Sequence, residues 1–305
     1  MFFNTGTAPI QEIRDPLFLE KKVQLFVKRE DLLHPHVSGN KWRKLKYNLI
    51  EARKRGHHTL LTFGGAYSNH IHAVAAAGKE LGFKTIGISR GENKLPHNPT
   101  LAFAAEQDML LHFISREEYS LRKTHQLRKD MVRLFGDFYL IPEGGANLLG
   151  VKGCVEIVKE IEIDYDYICT SCGTGATLAG LVVGLQGEKE ILGFSVLKGG
   201  RFLQEEVQKL VKECKEEEFN NWKIIEDYHF GGYGKHNSNL IDFINFFKKN
   251  NELALDPIYT GKMMYGILDM VRNGYFRENS VIVALHTGGL QGIEGFNQRF
   301  GKLIH

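Results

Sequence analysis

Apolar runs of strand length alternate with segments of helical periodicity along almost the whole chain, and this alternation most constrains the fold. The runs that predict strands lie at 23–27, 60–63, 85–89, 110–115, 138–141, 167–170, 191–196 and 281–285. The segments that predict helices lie at 41–53, 69–81, 99–107, 121–135, 148–161, 178–185, 202–213, 237–247 and 261–274. Such alternation is typical of βαβ units. The sequence therefore predicts an α/β protein with open, mostly parallel twisted sheets and helices on both faces.

Composition and charge exclude several classes of function. The 305 residues are 43% hydrophobic and 25% charged, as in ordinary soluble proteins, and 39 Lys and Arg against 36 Asp and Glu give a formal charge of +3. This near balance gives no reason to expect a nucleic-acid partner, and no apolar run approaches the roughly 18–20 residues that cross a bilayer. Residues 1–7 lack the basic and apolar regions of a secretion signal.

Cysteine and histidine spacing argues against a disulfide scaffold and against a metal site. Four cysteines are too few for a chain of this length, and the pair Cys169 and Cys172 has no second pair or histidines at zinc-ligand spacing. His70 and His72 are two positions apart and so point to different sides of a helix. We therefore expect structural cysteines, a cytoplasmic location and no metal.

The clearest anion-binding pattern is a glycine loop between a strand and a helix. The strand ending near residue 170 leads into small residues, and a helix follows at once. These residues are Gly173, Thr174, Gly175, Ala176 and Thr177. Unpaired amides and the helix dipole favour a phosphate there, although a tight turn without a ligand is the alternative.

The phosphate pattern does not fit a dinucleotide. Leu178 stands where the dinucleotide fingerprint requires a third small residue, and the next strand ends at Lys198 without a carboxylate. No Gly-Lys-Ser/Thr of a P-loop follows. A single phosphate on a smaller cofactor fits better, and a nicotinamide oxidoreductase remains the less favoured alternative.

Two further segments place reactive side chains at helix starts. Lys41 follows Ser38-Gly39-Asn40, where the helix dipole disfavours a positive charge and predicts a lowered pKa, as in lysines that attack carbonyls. Ser68, Asn69 and His70 open another helix and together suit a carboxylate. The alternatives are a solvated lysine and a serine that only caps its helix.

Taken together, these segments resemble pyridoxal-phosphate (PLP) enzymes of the tryptophan-synthase-β fold type. The chain is most similar to the branch with 1-aminocyclopropane-1-carboxylate (ACC) deaminase and D-cysteine desulfhydrase. The motifs that carry the resemblance are KRED, SGNKWRKL, GGAYSNHIHAVAAAG, IPEGGAN, CGTGATLAGL, DPIYTGKMMYG and LHTGG. The resemblance implies a large PLP-binding domain from residues 1–44 plus 150–305, a small inserted α/β domain from 45–149, a cofactor in the cleft between them, and a homodimer.

The resemblance also implies roles for single residues in holding the cofactor. Lys41 would carry PLP covalently, and the loop of residues 173–177 would hold its phosphate. Asn69 would contact the ring hydroxyl. Thr260 and Thr287 are the two candidates to face the pyridine nitrogen.

The remaining implied roles concern the substrate, a small amino acid. Ser68, Asn69 and His70 would receive its carboxylate. Tyr259 would lie against the cofactor ring and assist the chemistry, and Tyr233 is similar to a second active-site tyrosine of the family.

Two positions separate the members of this branch. Deaminases of the family resemble Tyr-Glu-Gly-Lys where this chain has Thr260 after Tyr259, and they have leucine in place of Thr287. A hydroxyl near the pyridine nitrogen leaves a weaker electron sink than a carboxylate does. The resemblance therefore favours a D-cysteine desulfhydrase-like elimination that gives pyruvate, ammonia and sulfide. ACC deaminase is the alternative, and a non-catalytic PLP-binding relative is a further one.

Overall fold

The computed structural model of the protein describes residues 6–305. In this range, strands and helices alternate over most of the chain. The strands are β1 (Ile10–Ile13), β2 (Gln24–Lys28), β3 (Thr59–Gly65), β4 (Lys84–Arg90), β5 (Leu110–Ile114), β6 (Tyr139–Ile141), β7 (Tyr167–Cys172), β8 (Glu190–Ser195), β9 (Trp222–Ile225) and β10 (Val281–Leu285). The α-helices are α1 (Pro16–Glu20), α2 (Asn40–Lys54), α3 (Asn69–Leu81), α4 (Pro99–Glu106), α5 (Arg116–Ser120), α6 (His125–Phe135), α7 (Leu148–Lys159), α8 (Ala176–Leu185), α9 (Phe202–Cys214), α10 (Ser238–Asn251), α11 (Thr260–Arg272) and α12 (Gly292–Phe300).

The strands form two separate sheets. One has six strands in the order β1-β2-β10-β7-β8-β9, and the other has four in the order β5-β4-β3-β6. Every pair is parallel except β1 with β2. Parallel strands are joined by helices that cover both faces, so these strands are buried on both sides and are almost continuously apolar. The α/β fold class predicted from the sequence is confirmed.

The apolar cores lie on the two faces of each sheet. In β10, Ile282 and Ala284 belong to a core with α10 and α11, whereas Val283 and Leu285 belong to a core with α7, α8 and α9. The four-stranded sheet is covered by α2, α3 and α4 on one side and by α5 and α6 on the other. Alternate residues of one strand therefore serve different cores, as strand geometry requires.

Local capping explains where the predicted elements were wrong. The helix predicted over 121–135 begins only at His125, because Thr124 caps it by accepting from the amide of Leu127. A separate turn of helix, α5, precedes it and has a capping box between Ser115 and Glu118. The sequence patterns also missed β1 and α1, which are short and partly exposed.

Helix α2 is fixed against α7 by a close backbone contact and a buried ion cluster. Gly153 of α7 faces the Arg43 carbonyl, and a Cβ at Gly153 would lie 1.8 Å from that oxygen. The Arg43 guanidinium donates to both oxygens of Glu30, at 2.8 and 3.0 Å, and to both oxygens of Glu160, at 2.6 Å each. Such paired forks hold a buried charge in one orientation. They therefore set the direction in which the N-terminus of α2 points.

The domain division proposed from the resemblance stays a prediction. The four-stranded sheet comes entirely from residues 59–141, and the six-stranded sheet comes from the segments on either side. The boundary between residues 44 and 45 falls inside α2, and that between residues 149 and 150 falls in the first turn of α7. Both helices therefore connect the two sheets rather than end at a linker.

None of the helices in the described part of the chain combines the length and apolar character that a bilayer crossing requires. Residues 1–5, part of the segment considered for a secretion signal, lie outside the described residues.

The contact between α7 and α2 predicts that Gly153→Ala destabilises the protein. Alanine normally stabilises a helix relative to glycine by about 0.5–1 kcal/mol, but here its methyl group meets the Arg43 carbonyl, and overpacking costs about 1–3 kcal/mol. The free energy of unfolding, measured in urea, should therefore fall. Gly292→Ala is the control, because its methyl group would meet nothing closer than 3.6 Å. An unchanged or raised stability of Gly153→Ala would contradict this packing.

Candidate active site

The N-terminus of α2 lies directly against the end of β10. Gly39, the residue before α2, has φ +63°, and a Cβ there would lie 2.1 Å from the Thr287 carbonyl oxygen. The amide of Asn40 donates to the same oxygen at 3.4 Å. Only glycine combines this φ with this approach. The Ser-Gly-Asn segment therefore brings the start of α2, with Lys41, to the carboxyl edge of the six-stranded sheet.

Asn40 connects Lys41 to the glycine loop. The Lys41 Nζ donates to Asn40 Oδ1 at 2.7 Å, and Asn40 Nδ2 donates to Thr177 Oγ1 at 2.9 Å. The amide side chain thus uses its acceptor for the lysine and its donor for the loop. The candidate nucleophile and the candidate phosphate loop, 136 residues apart in sequence, are joined by one side chain.

The pKa of Lys41 is lowered to about 7. Burial is the main cause, and the charge of nearby Lys44 adds to it. The dipole of α2 acts in the same direction, since Lys41 lies in its first turn. The lowered pKa expected from the sequence is therefore confirmed, and a large fraction of the amine is neutral and nucleophilic near pH 7.

The glycine loop leads from β7 into α8 with its amides directed to the helix start. Gly175 precedes α8 with φ +81°, and the first amide to bond back along the helix is that of Ala179, to the Gly175 carbonyl. The amides of Ala176 and Thr177, in the first turn, come before that bond and have no hydrogen-bond partner within the helix. The methyl group of Thr174 packs against Gly144 in the turn after β6. The loop is thus an amide-lined helix start with hydroxyls beside it, which suits a phosphate.

Lys44 is a buried cation beside this loop. Its side chain is 4% exposed, and within residues 6–305 no carboxylate lies within ion-pair distance of it. The thiols of Cys154 and Cys172 are nearby, and Cys172 accepts from the amide of Gly175 in the loop. Burial lowers the pKa of Lys44. A buried lysine without a partner anion is costly, so its position indicates an anion that binds to it.

Two tyrosines lie on the other side of the loop. A Cβ at Gly173 would lie 3.2 Å from Cε1 of Tyr259, so the ring packs on the start of the loop. The Tyr233 and Tyr259 rings are 6.0 Å apart between centroids, edge to face. Burial and the contact with Tyr233 raise the pKa of Tyr259 well above its ordinary value, so this hydroxyl stays protonated and is a proton donor at neutral pH.

The two threonines predicted near a pyridine nitrogen have different partners. Thr260 Oγ1 donates to Asp256 Oδ1 at 2.8 Å and accepts from the Asp256 amide at 2.9 Å. Thr287 Oγ1 pairs with Ser171 Oγ at 3.2 Å, at the ends of β10 and β7. The hydroxyl of Thr260 is therefore fully engaged, whereas that of Thr287 shares one bond with another hydroxyl.

The segment after β3 places three predicted substrate contacts at the start of α3. Ser68 Oγ caps α3 by accepting from the amides of His70 and Ile71, and a Cβ at Gly289 would lie 2.7 Å from Asn69 Nδ2. The His70 ring is 2% exposed and pairs through Nε2 with Thr62 Oγ1 at 2.9 Å.

Ser68, Asn69 and His70 thus differ in their surroundings, although they are neighbours in sequence. Burial, together with the charges of Lys41 and Lys44, lowers the pKa of His70, so its ring is neutral. Asn69 and the amides around Ser68 lie at the helix start, while the His70 ring points into the protein. Their roles toward a substrate stay predictions.

Sequence reasoning missed Asn40, Lys44, Asp256 and Lys262 as members of this site. The carboxylate of Asp256 accepts from the amides of Ile258, Tyr259 and Thr260 and so organises the start of α11. The DPIYTG segment contained a signal for this, since an Asp side chain commonly accepts from backbone amides a few residues further along the chain in an Asx turn. No group of three or more His, Cys, Asp and Glu side chains in the described chain is placed to hold a metal ion, and the four cysteines are free thiols.

Comparison with known proteins defines the class of this chain. Residues 4–288 match the family described as pyridoxal-phosphate dependent enzyme, and the chain therefore belongs to that family. Within it, the chain is 31% identical over 308 residues to a putative ACC deaminase of Pyrococcus horikoshii, covering 97% of this chain and 94% of the relative. It is also 31% identical over 299 residues to the bifunctional D-cysteine desulfhydrase/ACC deaminase of Arabidopsis thaliana, covering 90% of this chain and 74% of that one. The family resemblance read from the motifs is confirmed.

Solved structures agree with this membership. An ACC deaminase homologue matches with a TM-score of 0.85 and 30% identity, covering 98% of this chain and 94% of that one. An O-ureido-L-serine synthase matches with a TM-score of 0.71 at 13% identity, which is a likeness of fold alone. The protein is accordingly a PLP-dependent enzyme of the ACC deaminase and D-cysteine desulfhydrase group, with the type II fold of these enzymes.

The residues of the site fit PLP on structural grounds. An aldehyde requires a neutral amine, which Lys41 provides, and a phosphate requires an amide-lined helix start and a cation. Lys44 is that cation, buried and without a carboxylate partner among residues 6–305. These groups lie together around Asn40.

The lowered pKa predicts how Lys41 reacts with pH. Only a neutral amine is acylated, so trace acetylation of Lys41 in the cofactor-free protein should be half-maximal near pH 7 and level above it. Exposed lysines, with an ordinary pKa of about 10.4, should still be gaining reactivity there. Acetic anhydride labelling over a pH series, read by peptide mass, measures both. A midpoint above pH 9 for Lys41 would contradict the environment described for it.

Proposed function

We propose that the protein catalyses the PLP-dependent α,β-elimination of a small amino acid, with D-cysteine as the preferred substrate. Water and D-cysteine would give pyruvate, ammonia and hydrogen sulfide. The observation that carries this proposal is the bridge from Lys41 through Asn40 to Thr177 of the glycine loop. The amine of Lys41 and the helix start that would bind a phosphate are therefore separated by only one side chain, that of Asn40.

Lys41, the glycine loop and Lys44 would hold the cofactor. Lys41 provides the covalent attachment through Nζ. The amides of the loop of residues 173–177, apart from that of Gly175, which bonds to Cys172, would donate to the phosphate, and the buried ammonium of Lys44 would balance its charge. Asn40 bonds to both Lys41 and Thr177 and so fixes the distance between the lysine and the loop. The start of α2 would thus help to hold both the aldehyde end and the phosphate end of the cofactor.

With PLP bound, Lys41 would also act as a base toward the substrate. The bound PLP supplies a conjugated ring that accepts electron density from the substrate Cα. The Lys41 amine, with a pKa of about 7, would take the α-proton of the substrate at Nζ. A base with a pKa near the working pH is the most effective, which supports this assignment.

The start of α3 and the two tyrosines would act on the remaining parts of the substrate. Ser68, Asn69 and the surrounding amides orient the carboxylate at a helix N-terminus. Tyr259, which stays protonated, donates to the leaving sulfur, and Tyr233 at its edge supports it. The group beside the leaving sulfur would thus be a neutral hydroxyl rather than a charged side chain, and a hydroxyl can protonate a departing thiolate.

The residue at position 260 favours D-cysteine over ACC. It is a threonine whose hydroxyl is engaged with Asp256, so it offers no carboxylate to a pyridine nitrogen. Opening a cyclopropane that has no α-proton requires a stronger electron sink than expelling a thiolate does. ACC deaminase is the second candidate, because relatives over nearly the whole chain bear that name.

A cytoplasmic homodimer is part of this proposal. Three of the four free thiols are buried, and a reducing compartment keeps such cysteines unpaired. The homodimer is the state that the family resemblance implies.

A substrate panel tests the proposed reaction. The yellow holoenzyme is assayed with D-cysteine, L-cysteine, D-serine and ACC, and the keto acids are identified. We expect pyruvate from D-cysteine, and no turnover by Lys41→Ala, which should also lack the visible absorbance and any borohydride-fixed mass at position 41. Release of 2-oxobutyrate from ACC without pyruvate from D-cysteine would establish the alternative, and full activity of Lys41→Ala would end the proposal.

The role of Lys44 predicts a loss of cofactor affinity. Removing one charge-assisted bond of about 1.5–3 kcal/mol should raise the Kd for PLP of Lys44→Met about 10- to 150-fold. Lys46→Met is the matched control two residues along α2, since Lys46 pairs with Glu156 at 2.7 Å and faces away from the loop. Fluorescence titration of the cofactor-free proteins measures the affinities. Equal affinities of the two variants would remove Lys44 from the phosphate site.

A further inference from the structure

Tyr233 lies on a glycine-rich segment that has little support of its own. Residues 230, 231, 232 and 234 all have positive φ, between 52° and 116°. The segment spanning 229–235 forms no helix or strand, and its own backbone bonds are Gly232 to His229 at 3.0 Å and Lys235 to Gly232 at 3.1 Å. Because glycines leave the backbone free to adopt many conformations, the position of Tyr233 depends on contacts from outside the segment.

Lys262 supplies such contacts from α11. Its Nζ donates to the His229 carbonyl and to the Gly232 carbonyl, both at 2.8 Å. The side chain is 1% exposed, and burial lowers its pKa to about 8. Within residues 6–305 no carboxylate lies within ion-pair distance of this ammonium. A buried charge whose partners are only carbonyls destabilises a protein relative to an apolar residue of similar size, so packing alone does not account for it.

The place of Lys262 in the helix links the two tyrosines. Tyr259 precedes α11 and packs on the glycine loop, and Lys262 follows three residues later in the first turn. One rigid turn therefore carries both the Tyr259 ring and the ammonium that holds the backbone just before Tyr233. The Tyr233 and Tyr259 rings meet edge to face, with 6.0 Å between their centroids.

We propose that Lys262 is a positioning residue that fixes Tyr233 against Tyr259 by binding the carbonyls of His229 and Gly232. This inference rests on the proposed function, in which the two tyrosines act together at the leaving group. Lys262 itself touches neither substrate nor cofactor in this proposal; it acts through the glycine-rich segment.

The first test reads the segment without any assay of activity. Trypsin cuts after Lys235, which is exposed, once the segment is released. Losing two bonds to a charged group should speed this cleavage at least about tenfold in Lys262→Met, followed by mass spectrometry. Lys262→Gln, which keeps an amide donor, should fall between this variant and wild type.

Lys28→Met is the matched control for that test. Lys28 is equally buried and also donates to two backbone carbonyls, those of Ala8 at 2.7 Å and Glu160 at 3.2 Å. It differs in pairing with the Glu160 carboxylate at 3.6 Å and in lying in β2, away from the tyrosines. It should lower the thermal stability without changing cleavage after Lys235 relative to other sites. Wild-type cleavage rates in both Lys262 variants would overturn the proposal.

The second test is a double-mutant cycle on the holoenzyme. Tyr233→Phe removes the hydroxyl that supports Tyr259 and should lower kcat at least about tenfold in wild type, but less than about threefold in Lys262→Met, where the tyrosine is already displaced. Independent, multiplying effects would overturn the coupling. A wild type that turns over no amino acid would end the proposed function instead, and the cleavage test would still decide whether Lys262 holds the segment.

Discussion

The contact of Gly39 with the Thr287 carbonyl is the constraint on which the rest of the site depends. It joins the first turn of α2 to the end of β10, where a side chain on residue 39 would occupy the space of the backbone it meets. The first two turns of α2 contain the site residues Asn40, Lys41 and Lys44. The ion cluster of Arg43 then fixes the rotation of the same helix. The position of the reactive amine is thus set by backbone contact and its direction by paired charges.

The buried charges of this protein fall into two groups with different consequences. Arg43 has three carboxylate partners, Glu30, Glu160 and, at 3.8 Å, Glu156, and this arrangement is complete within the chain. Lys44 and Lys262 have no carboxylate within ion-pair distance in residues 6–305. A buried ammonium group without a carboxylate needs other acceptors. Two backbone carbonyls accept from Lys262, and Lys44 lies beside the glycine loop proposed to hold a phosphate.

Much of the fold could be predicted because buried parallel strands leave a simple pattern. The run of five apolar residues in β10 is an example, since both of its faces are covered. The pattern was weakest where burial is partial: β1 is a short edge strand, and the break between α5 and α6 depends on the caps at Ser115 and Thr124 rather than on hydrophobic period. Of the site, the sequence and the resemblance supplied Lys41, the glycine loop and the two tyrosines as candidates. Asn40, Lys44 and Lys262 could not be distinguished from ordinary polar residues without their neighbours.

The sequence by itself determined the alternation of strands and helices, the glycines at strand ends and the family to which the chain belongs. These depend on local geometry and on residue order, which a linear pattern records. Only the tertiary structure decided that Asn40 joins Lys41 to Thr177, that the Thr260 hydroxyl is taken by Asp256, and that the His70 ring turns to Thr62. A polar side chain bonds to whichever partner packing brings within about 3 Å, and in the first case that partner lies 137 residues away along the chain.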